Sequence, residues 1–310
     1  MGAGRDPARG RLVQGILAIV GAVFLLSLSD SIVKLASDRL PVAQLLLVRS
    51  VLAAIAILAI ARLWRRRIPL RLDRPGAVGL RSLCLTIMWG CYYAALPTMP
   101  FALAAAALYT APMWMAILFR ILLGEPVGWR RWGAIAIGLA GVGLVLRPDA
   151  AALAPVSVLP FAAAFCYALA AVVTWSRCGG EAPLAMALNL NLGLAGAGAL
   201  GVLWPAVSGL GLGAPGAGSA AWMPLDAGSW ALLGLLAVFM VVIATAVARA
   251  YQLAPAPVVG MFDNAYLVFA ALWSALLIGD FPDFRGLAGM VLIGLAAMLS
   301  ALPGRRAPAA

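Results

Sequence analysis

Residues 118–146 read LFRILLGEPVGWRRWGAIAIGLAGVGLVL, and residues 274–302 read SALLIGDFPDFRGLAGMVLIGLAAMLSAL. The two stretches share one plan: an apolar run, a small-Gly-acid turn, then a second apolar run rich in glycine. LLGE (122–125) corresponds to LIGD (277–280), and Gly138-Leu-Ala corresponds to Gly294-Leu-Ala with one residue inserted between turn and triplet. Earlier in each copy, Pro41 and Arg49 find counterparts in Pro183 and Asn191, both pairs eight positions apart. The chain is therefore built from one unit used twice.

The composition says what medium the unit inhabits. Of 310 residues, 65% are hydrophobic and 11% charged, with a mean hydropathy of +1.03. Soluble domains run nearer ~45–50% apolar and ~25% charged. So few charges cannot coat a water-facing surface, and the apolar runs far exceed the ~10 alternating residues of a barrel strand. An all-α integral membrane protein is expected.

Charge and Pro/Gly punctuation divide the chain into ten transmembrane helices: Leu12–Ala36, Val42–Leu63, Val78–Leu96, Phe101–Leu123, Trp129–Leu146, Ala154–Trp175, Leu184–Trp204, Trp230–Leu253, Val258–Ile278 and Gly286–Leu302. With the N-terminus inside, 17 of the 22 basic residues, Arg81 among them, fall on the cytoplasmic loops and ends. That asymmetry orients the protein with both termini cytoplasmic. It also accounts for the net charge of +11 without nucleic acid as a partner, since no aromatics alternate with basics to stack on bases. Five spans is an odd number, so the second copy enters the membrane upside down. The expected organisation is a cytoplasmic segment 1–11, a first five-helix repeat 12–147, an inverted second repeat 154–303 and a cytoplasmic tail 304–310.

At this point the chain resembles the drug/metabolite transporter superfamily, of the EamA type. The matching features are two five-span units, each ending in the small-Gly-acid turn and a Gly-rich helix. The Pro-x7-Arg opening of the second span and Pro112, thirteen residues before Glu125, also match. The second copy departs from the pattern at Asp280, where glutamate is usual, and at Leu267, where Pro112 would align. The DSIVKLAS stretch (30–37) is similar to a subgroup with Asp-x3-Lys closing the first span. The resemblance implies a secondary transporter of the bacterial inner membrane whose solute is a flavin, a sulfonium nucleoside, an amino acid or a similar small organic metabolite.

Ionisable groups within spans are costly and mark function or a partner. Asp30 lies about 9 Å from the outer end of the first span and Arg49 about 12 Å below the same surface, counting ~1.5 Å per residue. Arg49 is the expected partner of Asp30, with Lys34 one turn above. Two readings of the pair stand: a buried ion pair fixing the first hairpin, or a gate or binding site for charged solute. Asp263 lies ~10 Å above the cytoplasmic boundary, near Asn264 and, at similar depth, Asn191. It is either a solute- or proton-carrying acid or a protonated structural one. Tyr93, Tyr109 and Trp114 are candidate cavity walls, with Tyr92, Trp89 and Tyr266 beside them, and either packing or solute stacking accounts for each. The glycines of 133–143 and of Gly193-x3-Ala197-x3-Gly201 allow close helix approach, within the chain or across a homodimer seam.

Several function classes drop out. There is no histidine, so Ser-His and Cys-His dyads, imidazole metal sites and histidine proton relays are all excluded. Cys84, Cys91, Cys166 and Cys178 form no CxxC pair and read as small packing residues. Gly211-x-Gly213-x-x-Gly216 has the letters of a dinucleotide fingerprint but neither the strand nor the helix around it. No cofactor, metal or ATP is expected. The leading function is alternating-access transport by exchange or proton coupling. A polytopic membrane enzyme of lipid or small-molecule modification is the alternative, and a scaffold or channel a third.

Overall fold

A computed structural model describes residues 7–36, 41–63, 70–95, 105, 107–146, 158–208, 222–277, 279 and 281–301. The side chains of Lys34 and Tyr93, the Gly211–Gly216 loop, Asp280, the two chain ends and the unit boundaries at 147, 154 and 303 lie outside the described residues. Every regular element among the described residues is a helix: α1 Pro7–Ala36, α2 Val42–Leu63, α3 Pro75–Ala95, α4 Ala111–Leu123, α5 Trp129–Leu146, α6 Val158–Arg177, α7 Pro183–Ser208, α8 Ala227–Leu253, α9 Ala256–Asp263, α10 Ala265–Leu277 and α11 Phe284–Ala301. Seven candidate spans are long and apolar enough to cross a membrane, α9 and α10 together making one of them, and shorter apolar helices accompany them. This is a multi-pass membrane protein.

The glycines of the LLGE and LIGD turns share one feature. Gly124 sits at φ +69° and Gly279 at φ +79°, the positive-φ glycines among the described residues. Only glycine enters that left-handed region without steric cost. At Gly124 it ends α4, the glycine N–H donating to the Arg120 carbonyl at 3.1 Å.

The ninth span departs from expectation. Val258–Ile278 read as one helix, but the structure breaks it at Asn264 into α9 and α10. The fourth is interrupted likewise, by a turn at Tyr109–Thr110 ahead of α4. At both breaks the backbone closes a tighter, three-residue bond: Met113 N–H to Thr110 O at 2.9 Å, and Leu267 N–H to Asn264 O at 3.1 Å. Pro112 sits just past the first break, inside the opening turn of α4, where its missing N–H costs nothing. Leu267 holds the matching place in the second, so the interruption there does not need a proline. Thr110 and Asn264, short polar side chains that compete for nearby backbone groups, occupy both turns. Thr110 shows the competition directly, its hydroxyl donating to Ala107 O at 2.6 Å.

The most extensive packings join a helix before residue 147 to one after it: α5 with α11, α2 with α7, α3 with α6, and α1 with α8. Glycines permit the closest of these. A Cβ on Gly141 would stand 2.7 Å from the Gly289 carbonyl, and one on Gly289 would stand 2.6 Å from the Gly141 carbonyl. Near the start of α2, Ala43 and Leu47 meet Gly201 and Gly198 near the end of α7, so these two helices run antiparallel. The Gly193–Gly201 face thus packs within the chain. Outside, the bundle is apolar: Leu17, Ile121 and Leu200 are 66%, 71% and 70% exposed, a surface that suits lipid rather than water.

Two small hydrogen-bonded clamps tie the ends of the bundle. Near the start of α2, the Gln44 amide donates to Met223 O at 2.7 Å and accepts from Met223 N at 2.9 Å, holding the segment that leads into α8. Just before α7, the Glu181 carboxylate accepts from the Asp73 and Arg74 N–H groups at 3.2 and 2.6 Å, holding the segment that leads into α3. Because α2 and α7 are antiparallel, the two clamps lie at opposite ends.

Candidate functional site

Asp30, on α1, does not meet Arg49 in an ion pair. Its carboxylate instead accepts a 2.7 Å hydrogen bond from the Tyr266 hydroxyl on α10. Helices α1 and α10 are held together around that bond by Phe24, whose ring stands edge-on to Phe269 at 5.2 Å and lies 5.1 Å from Trp273. The Tyr266 ring in turn lies 6.1 Å from that of Tyr109, tilted by 33°. Tyr109 occupies the turn that interrupts the fourth span, within electrostatic reach of Asp30, Asp263 and Tyr92. One tyrosine is therefore within electrostatic reach of both intramembrane carboxylates.

Asp263 ends α9 at the other break, so both interruptions of the helical ladder bring polar groups to the same interior region. Its carboxylate faces the Tyr167 hydroxyl of α6. Tyr167 Oη lies 3.3 Å from Tyr251 Oη of α8, which lies 3.8 Å from the Met115 sulfur of α4. Asp30, Tyr109, Asp263 and Tyr266 are only half-buried although they sit well inside the chain's apolar spans.

The remaining candidates are less connected. Arg49 is 7% exposed, and its Nε has no hydrogen-bond partner among the described residues. The guanidinium acts on Asp30 through space. Asn191 donates to Ala187 O of its own helix at 2.8 Å, and its buried carbonyl oxygen has no hydrogen-bond partner among the described residues. No hydrogen bond joins it to Asp263 or Asn264 among the described residues. Asn264 is buried beside Gly138, whose added Cβ would come within 3.9 Å of the amide nitrogen. Trp114 packs edge-on against Phe165 at 5.7 Å, its buried indole N–H without a hydrogen-bond partner among the described residues.

Three residues that reading the sequence did not single out belong to this interior. Tyr167 and Tyr251 had a signal, since a hydroxyl within an apolar run needs a partner. Arg81, grouped above with the cytoplasmic basic residues, is 2% exposed within α3, and its Nε donates to Thr174 Oγ1 of α6 at 3.0 Å. Its place near the start of a span, among loop arginines, hid it. All four cysteines are free thiols, and no group of three His, Cys, Asp or Glu side chains able to hold a metal ion occurs among the described residues.

Interrupted helices in a multi-pass bundle, here with Asp263 at one of the interruptions, are a feature of membrane transporters. Residues 13–147 match the EamA-like transporter family. A riboflavin transporter of Rhizobium johnstonii is 31% identical over 215 residues, 68% of this chain and 63% of that protein's own length. A riboflavin transporter of Vibrio cholerae is 28% identical over 292 residues, 91% of each chain. A pseudopaline exporter of Pseudomonas aeruginosa is 24% identical over 290 residues, 92% of this chain and 95% of that one. Among solved structures, a crystal structure of a protein 19% identical in sequence superposes with a TM-score of 0.75, covering 93% of this chain and 98% of that one. That likeness concerns the fold alone.

Proposed function

We propose that the protein is a secondary transporter that carries one small organic metabolite across the bacterial inner membrane by alternating access. The units 12–147 and 154–303 act as inverted five-helix repeats around a central site. The observation that carries this reading is the Asp30–Tyr266–Tyr109 arrangement together with Asp263: two half-buried carboxylates, linked through tyrosines, at and beside the breaks in the fourth and ninth spans. Half-helix ends at a bilayer midplane present free backbone groups and suit solute or coupling-ion binding.

The packing supports the repeat. Exchanging each helix for its counterpart five spans later turns α3–α6 into α8–α1, and α4–α6 into the contact of α9 and α10 with α1. The α2–α7 and α5–α11 pairs map onto themselves. The clamps at Gln44 and Glu181 obey the same exchange, since each stands at the opening of the second span of its half. With histidine absent, Asp30 and Asp263 are the carboxylates available for a coupling proton. Asp30, Arg49, Tyr93, Tyr109, Trp114, Asn191, Asp263 and Asn264 make up the proposed solute or coupling site, with both chain ends cytoplasmic.

The relatives' names bring riboflavin and pseudopaline forward as solutes, and the amino-acid class comes from the resemblance drawn from the sequence. The test is counterflow in proteoliposomes of the purified protein, preloaded with unlabelled riboflavin or an amino-acid mixture and offered the labelled compound. Accumulation that depends on the preload and is lost in Asp263→Asn and Asp30→Asn supports the reading. Preload-independent leakage that both variants retain sinks it in favour of a channel.

A further inference from the structure

We propose that a groove between α1, α7 and α8 binds an anionic phospholipid, with Arg249 holding the phosphate and one acyl chain lying along α8. The groove has a volume of about 440 Å³, within the ~300–1,000 Å³ of ordinary ligand sites. Helix α8 lines it for two turns, from Val241 and Val242 to Arg249, while Ala18 comes from α1 and Leu184 from the opening of α7. Thr245 is the other polar side chain in the lining, and its hydroxyl is committed to Val241 O at 2.7 Å. The site is thus an apolar trough with one guanidinium at its end.

Arg249 is at odds with its helix face. Leu235, Val238 and Val242 are exposed apolar side chains of the kind that meet hydrocarbon. Arg249 follows Val242 by two turns on that face and is exposed as well, about 6 Å short of the helix end at Leu253. It makes no hydrogen bond or ion pair among the described residues. Three helix ends meet beside it. A Cβ on Gly15 would stand 2.9 Å from the Ala254 Cβ, so the opening of α1 lies against the close of α8. Gln252 donates to Glu181 O at 2.8 Å, which brings the opening of α7 to the same end. The positive end of the α7 dipole therefore joins Arg249 there. The Glu181 carboxylate is turned to the Asp73 and Arg74 N–H groups instead. A phosphate with hydrocarbon beneath it matches both halves of the site, because the guanidinium pairs bidentately with its oxygens and the trough takes a chain. Basic pockets between spans select anionic head groups. A zwitterionic lipid brings its own ammonium to the phosphate and leaves Arg249 less fully neutralised.

The experiment is native mass spectrometry of the full chain released from detergent, with dioleoyl phosphatidylglycerol and dioleoyl phosphatidylethanolamine offered in turn at equal concentration. The expected result is that phosphatidylglycerol binds more tightly, one molecule ahead of any others. Arg249→Gln should weaken that first binding at least about fivefold and erase the preference, while Arg249→Lys keeps part of it. Arg130→Gln, which removes an exposed arginine at the start of α5, should change nothing. Ala246→Leu fills the trough with Arg249 left in place and should weaken binding too. Ala18→Leu does the same from α1 if the first filled variant does not fold, which melting curves without lipid reveal. No preference in the unaltered protein, or one that survives Arg249→Gln, overturns the assignment. Equal loss in Arg249→Gln and Arg130→Gln also overturns it, as the general attraction of a chain of net charge +11 to anionic lipid. Normal binding by a folded variant with the trough filled overturns the placement of the chain.

Discussion

Tyr266 donates a 2.7 Å hydrogen bond to the carboxylate of Asp30, a residue 236 positions away in the chain. That bond joins the first span to the second half of the interrupted ninth, and it supplies the direct partner of the acid that arginine does not. Tyr266→Phe keeps the ring beside Tyr109 and deletes only the donor. The variant should lose about 1.5–3 kcal/mol of stability, the usual range for a hydrogen bond to a charged group. Tyr109→Phe, which leaves Asp30 its donor, should lose less. Paired denaturation curves in detergent decide it, and equal losses would mean the Asp30 bond carries no weight.

Gly141 and Gly289 each leave room for the other's carbonyl, so a methyl on either must push α5 and α11 apart. Gly141→Ala and Gly289→Ala should each cost roughly 1–3 kcal/mol, as overpacking does. Gly143→Ala meets nothing within 4 Å and should be neutral or gain up to about 1 kcal/mol from helix propensity. Melting temperatures of the three variants check the contrast.

At Gly124 and Gly279 the space around the α-carbon is open, and the constraint is the backbone itself, at φ +69° and +79°. Alanine at either should destabilise by about 1–2 kcal/mol, the cost of the left-handed region for an L-residue. Asparagine, which tolerates that region better, should cost less. An Ala-to-Asn order reversed in thermal unfolding would contradict the conformational account.

Arg81 and Thr174 bind α3 to α6 inside the bundle. Thr174→Val is isosteric but leaves the buried guanidinium nitrogen without its acceptor, and should cost about 1–3 kcal/mol. Arg81→Met removes the donor and the charge together and should cost less than Arg81→Lys, which keeps a buried charge in the wrong shape. Stability of the three variants, read by chemical denaturation, tests that order.

The Glu181 carboxylate receives two backbone N–H groups at the entry to α3. Glu181→Ala should cost about 0.5–2 kcal/mol, the range for a lost helix cap. Faster proteolysis or hydrogen exchange should follow in residues 70–76, with the Gln44 end unaffected. Uniform loosening across the bundle would show that the clamp is not local.

Much of the fold could be read from the chain because hydropathy is a local property. The second and fifth spans begin and end at Val42, Leu63, Trp129 and Leu146 in both sequence and structure. The paired LLGE and LIGD turns suggested a duplicated unit, and their glycines share a positive φ. What could not be read is tertiary. Nothing near Asp30 points to Tyr266, and matching depth pointed to Arg49, which forms no ion pair with it among the described residues. The break at Asn264 was hidden because no proline marks it. Arg81 looked like a rim charge because burial depends on what α6 brings against it. Of the candidate site residues, Asp30, Tyr109 and Asp263 come into one region, while Asn191 and Trp114 are held by their own surroundings.

The two clamps differ in kind. Gln44 ties one end of the bundle with a neutral amide that donates once and accepts once, and Glu181 ties the other with a carboxylate that accepts twice. Hydrogen bonds to a carboxylate are the stronger sort. The Glu181 end is therefore the more firmly fastened of the two, and loosening of the bundle should begin at the Gln44 end.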